Sequence, residues 1–287
     1  MMKTGNMIMS AALSRNDFER LSAFIRSECG IKMPEQKRVM LEARLRKRLR
    51  ALGIESFGEY CDFLFSPEGL LQEKVHMIDV VTTNKTDFFR EPKHFDYLVR
   101  HAIPELSRFR GAGARQPLSL WSAGCSSGEE PYTLAMVLTE YAESQPGFRF
   151  SVLATDISTK VLDKAFRGVY KEERAGLMPE AMKRKYLMRS KDRDKGLLRV
   201  APELRSCVKF RRLNFMNNDF GIDESFDIIF CRNVIIYFDR PTQQKVLETI
   251  CRHLRPGGYL FMGHSETLSS LSMPLVSVGS MVYRRPS

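Results

Sequence analysis

The chain has 287 residues, 43% hydrophobic and 10% aromatic, which is enough for a sizeable core and one large or two modest domains and excludes general disorder. No apolar run approaches the ~18–20 residues of a membrane span, and the N-terminus MMKTGNMIMSAALS only weakly imitates a signal peptide. Six cysteines form no C-x-x-C pair and five histidines no H-E-x-x-H, so no metal is expected, and reduced thiols in a cytoplasmic protein are.

The net charge of +11 calls for an acidic partner: nucleic acid, a membrane surface or an acidic protein. From about Ser14 to His76 the pattern is helical, which predicts a small all-α domain over residues 1–85. SRNDFERLSAFIRSECG has a cap-like start and a glycine stop, and ESFGEYCDFLFSPEG is amphipathic and ends at Pro and Gly. Between them, Lys37 to Arg50 concentrates seven Lys and Arg against Glu42, with Leu41, Leu45 and Leu49 as an apolar seam. The run is either the solvated face of a packed helix or a docking surface for an acidic partner.

VVTTNKTDFFREPKHFDYLVRHAIPEL then connects into a helix, and RGAGARQP is a loop. From there strands and helices alternate through residues 86–287. LSLWSA, FRFSVLATD, SFDIIFCRN and GYLFMGHSE read as strands; EEPYTLAMVLTEYAES, STKVLDKAFRG and DRPTQQKVLETICRHL read as helices. This order predicts an α/β fold with a mostly parallel sheet. LVSVGSMVYRRPS reads as an antiparallel C-terminal hairpin at the sheet edge, and about 183–212 as a small inserted antiparallel β-subdomain.

The chemistry centres on WSAGCSSGEEPY. Gly124 and Gly128 allow a tight turn after the first strand, but G-x-G-x-x-G is absent, which weakens a dinucleotide reading. Ser127 and Glu130 have capping-box spacing, and Pro131 suits a first helical turn. Asp156, at the tip of the second strand, is either a ribose ligand or a helix N-cap. Pyrophosphate beside Glu129 and Glu130 would be repelled, whereas a cofactor with a cationic end would be attracted. S-adenosylmethionine, a nucleoside with an ammonium and a sulfonium and no phosphate, fits that requirement.

The late Pro256-Gly257-Gly258 turn between a helix and a strand resembles the class I (Rossmann-like) methyltransferases. More closely, TTNKTDFFRE, SAGCSSGEEPY, FDIIFCRNVIIYFD and GHSETL, in that order, resemble the chemotaxis receptor glutamate methyltransferases, the CheR family. The resemblance covers nearly the whole chain. It implies methyl transfer from S-adenosylmethionine to receptor glutamates, with S-adenosylhomocysteine as product and the basic helix docking on the receptor's cytoplasmic part.

The resemblance also implies residue roles. Asn84, Thr86 and Arg90 contact the cofactor or line the active site. Glu130 holds its amino group and Asp156 its ribose. Asn214 and Phe215 border the adenine, and Arg232 and Asn233 lie beside the methionine part. Arg90 and Tyr237 are the catalytic candidates. His264 and Ser265 follow the last parallel strand, in either a site or a loop role.

In some members the β-subdomain grips a receptor C-terminal peptide; here RSKDRDKGLLRV lacks the glycines of peptide-binding members. The expected protein is a monomer that binds no nucleic acid. An RNA methyltransferase using the basic helix on phosphate and a non-catalytic cofactor-binding receptor partner are the alternatives.

Overall fold

The computed structural model describes residues 12–268 and 271–287. The N-terminal apolar patch, up to residue 11, lies outside the described residues. Among the described residues no helix is long and apolar enough to cross a membrane. The chain divides into two compact units: the described residues up to Thr83 with Tyr237–Asp239, and Asn84–Ile236 with Arg240–Ser287.

The first unit is helical: α1 Arg15–Cys29, α2 Arg38–Leu52, α3 Phe57–Leu64, α4 Pro67–Gln72 and α5 Lys74–Val81. Ser14 caps α1 by accepting from the Asp17 N–H, and Gly30 ends it in the left-handed region at φ 71°. Phe18, Leu21, Ile25 and Cys29 form its buried stripe.

In α2 the buried seam is Leu41, Leu45 and Leu49, and much of the basic face is engaged within the unit. Arg44 Nη1 donates to the carbonyls of Val81, at 2.5 Å, and Thr82, at 3.0 Å. Arg46 pairs with Glu42. Arg48 pairs at 2.5 Å with Glu73, which is 1% exposed and also accepts from Tyr60 Oη at 3.0 Å. Lys47 and Arg50 are exposed.

The second unit begins with α6 Lys93–Tyr97, a π turn and α7 Ile103–Arg110. There follow β1 Leu118–Ala123, α8 Glu129–Ser144, β2 Phe150–Asp156, α9 Thr159–Arg167, β3 Val169–Lys171, α10 Glu180–Tyr186, β4 Leu187–Arg189, β5 Leu197–Val200, α11 Pro202–Ser206 and β6 Val208–Arg212. The chain ends with β7 Phe226–Cys231, α12 Arg240–Arg252, β8 Leu254–Met262, β9 Val276–Gly279 and β10 Val282–Arg284.

The main sheet has the order β6-β2-β1-β7-β8-β10-β9. The first five of these strands run parallel to their neighbours, and β10 is antiparallel to β8 and β9. The expected parallel sheet and edge hairpin are both present. From β1 the chain winds outward through β2 to β6 and then returns to β7 on the other side of β1. The carboxyl ends of β1 and β7 therefore form the topological switch point where open α/β sheets bind ligands. β7 is buried along its whole length, and Phe230 stacks on Phe261 of β8 with ring centroids 4.4 Å apart.

Two boundaries differ from expectation. The inserted three-stranded sheet, order β3-β5-β4, spans 169–200 rather than 183–212, and Val208–Arg212 instead pairs in parallel with β2. Its alternation is too short to distinguish an edge strand of one sheet from the next. The helix before Pro256-Gly257-Gly258 ends at Arg252, and β8 already starts at Leu254. The Pro-Gly-Gly lies inside the strand, with Gly257 at φ 77°, where the β7–β8 ladder shifts register.

Candidate functional site

The turn after β1 is fixed by the backbone. The N–H groups of Gly124 and Cys125 both donate to Thr155 O at 2.8 Å, and Gly124 has φ 85°. A Cβ at Gly124 would lie 2.4 Å from Val234 Cγ2, so only glycine lets the β1 turn meet the β7 loop this closely. Gly128, at φ 96°, is the N-cap of α8 and makes no side-chain cap bond. The expected capping box between Ser127 and Glu130 is absent, because Ser127 Oγ instead donates to Glu129 Oε2 at 2.7 Å.

The two glutamates diverge. Glu129 is fully buried, with Oε1 3.8 Å from Lys164 Nζ, and burial raises its pKa above the ordinary glutamate value. Glu130 faces the switch point. Its Oε1 accepts from Ser122 Oγ at 2.8 Å and its Oε2 from Arg232 Nε at 2.7 Å. One carboxylate, not two, therefore stands beside the turn, and Arg232 partly balances its charge.

Asp156 accepts from Ser126 N at 2.8 Å on Oδ2 and from Ser158 N at 2.9 Å on Oδ1, and these bonds fix its carboxylate plane across the turn. It is not the N-cap of α9. That role belongs to Ser158, whose side chain accepts from Val161 N. Leu213 N donates to Asp156 O at 2.9 Å, which brings the start of the LNF segment to the tip of β2. Asn214 Oδ1 accepts from Met216 N at 3.0 Å, and Phe215 packs edge-on to Phe220.

The NKTDFFR segment meets the turn through Ser126. Asn84 O accepts from Ser126 Oγ at 3.1 Å. Thr86 is buried, and its carbonyl accepts from Arg174 Nη1 at 2.9 Å. Arg90 is flanked by Phe89 and Glu91, both left-handed at φ 55° and 57°, a conformation that costs non-glycine residues about 1–2 kcal/mol. The Arg90 guanidinium donates to Lys85 O at 3.0 Å.

Arg232 joins these parts. Besides Glu130, its Nη1 donates to Arg90 O at 2.8 Å and His94 Nδ1 at 3.1 Å, and it lies 3.4 Å from Glu91 Oε2. Burial and Arg232 push the His94 imidazole down to about 4, so it is neutral and accepts this bond. His94, Glu91 and His264 bring ligand-type atoms within 4.8 Å of one another, but the Arg232 guanidinium supplies the cation there. Asn233 is left-handed at φ 58°, and its N–H donates to Glu266 Oε2 at 2.6 Å. Tyr237 groups with the helical unit, where its carbonyl accepts from Lys32 N at 2.8 Å and its ring lies 5.9 Å from Lys37 Nζ.

The donor set suits a cationic nucleoside. A ribose needs a fixed carboxylate at the tip of the second strand, as Asp156 is, and an ammonium needs a buried carboxylate at the turn, as Glu130 is. Residues 84–283 match the CheR methyltransferase, SAM binding domain, and residues 16–82 match the CheR methyltransferase, all-alpha domain.

The chain belongs to the CheR methyltransferase family. It is 41% identical over 273 residues to the chemotaxis protein methyltransferase of Escherichia coli K12, covering 95% of this chain and 91% of that protein. It is 40% identical to that of Borreliella burgdorferi, covering 89% of each, and 41% identical to chemotaxis protein methyltransferase 2 of Pseudomonas aeruginosa, covering 94% and 93%. For a CheR-family chain, sequence reasoning missed Ser122, Ser126, His94 and Glu266. Ser126, His94 and Glu266 act through hydrogen bonds to residues 30 or more positions away, Ser122 through one to Glu130 eight positions on, and only GHSE carried a local signal.

Proposed function

We propose that this CheR-family methyltransferase transfers the methyl group of S-adenosylmethionine to glutamate side chains of chemotaxis receptors, giving γ-methyl esters. The observation that carries this reading is that Glu130, bonded to Ser122 at the end of β1, and Asp156, bonded to Ser126 in the turn, are two fixed carboxylates at the switch point of a SAM-binding domain. When bound, the cofactor supplies an electrophilic methyl on a cationic sulfur.

A glutamate carboxylate, with pKa ~4.3, is already ionised at neutral pH and attacks the methyl carbon without a general base. With the cofactor held by Glu130 and Asp156, the new O–C bond would form as the C–S bond breaks, leaving the electron pair on a neutral thioether sulfur. No proton moves. The protein's work is therefore alignment and charge.

In this reading Glu130 holds the ammonium and Asp156 the ribose hydroxyls. Asn84, Thr86, Arg232 and Asn233 complete the cofactor contacts, with Asn214 and Phe215 beside the base. Arg90, carried on its strained turn, steers the substrate carboxylate by charge and hydrogen bonding. It acts on position more than on charge, since a carboxylate held too tightly loses nucleophilicity. The family resemblance puts Tyr237 near the methionine part, where it either holds a carboxylate oxygen or shields the sulfonium with its ring. Lys47 and Arg50 are the outward charges of α2 available to an acidic receptor surface.

The test uses radiolabelled S-adenosylmethionine, receptor-containing membranes and base treatment. Volatile labelled methanol is the expected product. Label that survives base, or label recovered in nucleic acid, would overturn the assignment.

A further inference from the structure

Glu266 is 2% exposed and lies four residues beyond the end of β8. Its carboxylate accepts four backbone N–H groups. Oε2 takes Asn233 N at 2.6 Å and Gly263 N at 2.8 Å; Oε1 takes Val234 N at 2.7 Å and Ile235 N at 2.8 Å. The donors come from two loops, those after β7 and after β8, at the carboxyl ends of adjacent parallel strands. The loops meet so closely that a Cβ on Gly263 would lie 2.5 Å from Asn233 Nδ2 and 2.8 Å from Asn233 N. Within this clamp Asn233 is held left-handed.

Each oxygen receives two donors, so the group must act as an acceptor at both ends. A glutamine of the same shape would turn an NH2 toward two N–H groups whichever way it was flipped. An aspartate would be one methylene too short to reach both loops. This requirement is far more specific than burial of a carboxylate requires. Three successive amides converge on it, as in an anion-binding nest, but the anion is the protein's own.

We infer that Glu266 is a positioning residue for the cofactor site: an internal anion that holds the β7 loop in the strained conformation presenting Arg232 and Asn233. The inference rests on the assignment of those two residues to the cofactor's amino-acid end.

The test measures binding of S-adenosylhomocysteine to the full-length protein by calorimetry, in Glu266→Gln, Asn233→Ala and Asp227→Asn. Asp227 is a fully buried carboxylate at the opposite end of β7, bonded to Ser119 N and Arg255, and serves as the matched control. Glu266→Gln should raise the dissociation constant about ten-fold or more, the scale on which a displaced site group is felt, with Asp227→Asn within about two-fold of wild type. An equal loss in Asp227→Asn would reduce Glu266 to ordinary stability and overturn the inference.

If Asn233→Ala weakens binding and Glu266→Gln does not, the clamp is wrong and the site assignment stands. If Asn233→Ala has no effect, the site assignment fails and takes the clamp with it. Should Glu266→Gln not fold, amide hydrogen exchange on the ligand-free wild type decides. Slow exchange at residues 233–235 supports the clamp, and exchange at the solvent rate until ligand is added overturns it.

Discussion

Arg232 Nε lies 2.7 Å from Glu130 Oε2, a buried ion pair between residues 102 positions apart. The same guanidinium reaches Arg90 O through Nη1 at 2.8 Å. One side chain thus ties the carboxylate proposed for the cofactor's ammonium to the backbone of the residue proposed to steer the substrate. Lysine could keep the charge but, with a single ammonium in place of a planar fork, could not make both bonds at once. Arg232→Lys should therefore weaken cofactor binding and lower turnover together, each by about ten-fold or more, in calorimetry and single-turnover assays.

Arg90→Ala should behave differently. Its guanidinium donates to Lys85 O, and Arg232 reaches Arg90 through the backbone carbonyl, so removal of the side chain leaves the Arg232 network in place. Turnover should fall about a hundred-fold while cofactor affinity changes by less than about three-fold. Calorimetry showing the reverse ordering would reject the steering role.

Asp156→Ala removes a carboxylate whose two oxygens are already fixed by Ser126 N and Ser158 N. Loss of ribose bonds to a charged acceptor should weaken cofactor binding by about 1.5–3 kcal/mol. Unchanged affinity in a folded variant would restrict Asp156 to bracing the loop.

The basic run of α2 separates into two experiments. Lys47→Glu with Arg50→Glu should depress methylation of whole receptor, more strongly at low salt, and spare cofactor affinity. Arg48→Glu should instead lower thermal stability, because it removes the partner of Glu73, which is 1% exposed. Breaking a buried pair from one side costs about 3–5 kcal/mol. Equal melting temperatures for Arg48→Glu and wild type would disprove the internal role.

His94 sets a pH dependence. Its folded value is pushed down to about 4, whereas an unfolded histidine titrates near ~6.5. Between these values the unfolded chain binds the extra proton. The stability that neutral His94 contributes is therefore complete above ~6.5 and is lost as pH falls toward the folded value. Thermal melts of wild type should fall more steeply across this window than those of His94→Gln, and parallel slopes would refute the account.

Much of this was legible in the residues themselves. The Ser14 cap, the Gly30 stop and the leucine seam of α2 are local signals, and local hydrogen bonds and packing carry them out. The strand–loop–helix around Gly124 was equally plain. What escaped was long-range. Glu73 accepts from Arg48 across 25 positions, and no periodicity reports that a surface-looking arginine is spoken for. The Ser127–Glu130 spacing suggested a cap, but Gly128 took the left-handed corner and turned Ser127 toward Glu129. The Pro-Gly-Gly looked like a turn, yet the partner strand β7 absorbs it as an irregularity in the ladder. In each case a tertiary partner overrode a valid local preference.

The carboxylate plane of Asp156 is set by amides of its own framework in the ligand-free chain. A guest arriving there meets a host that has no rearrangement left to make at that point. Association at this corner should accordingly proceed as one phase, with a rate proportional to ligand concentration and no plateau from a slow preceding isomerisation.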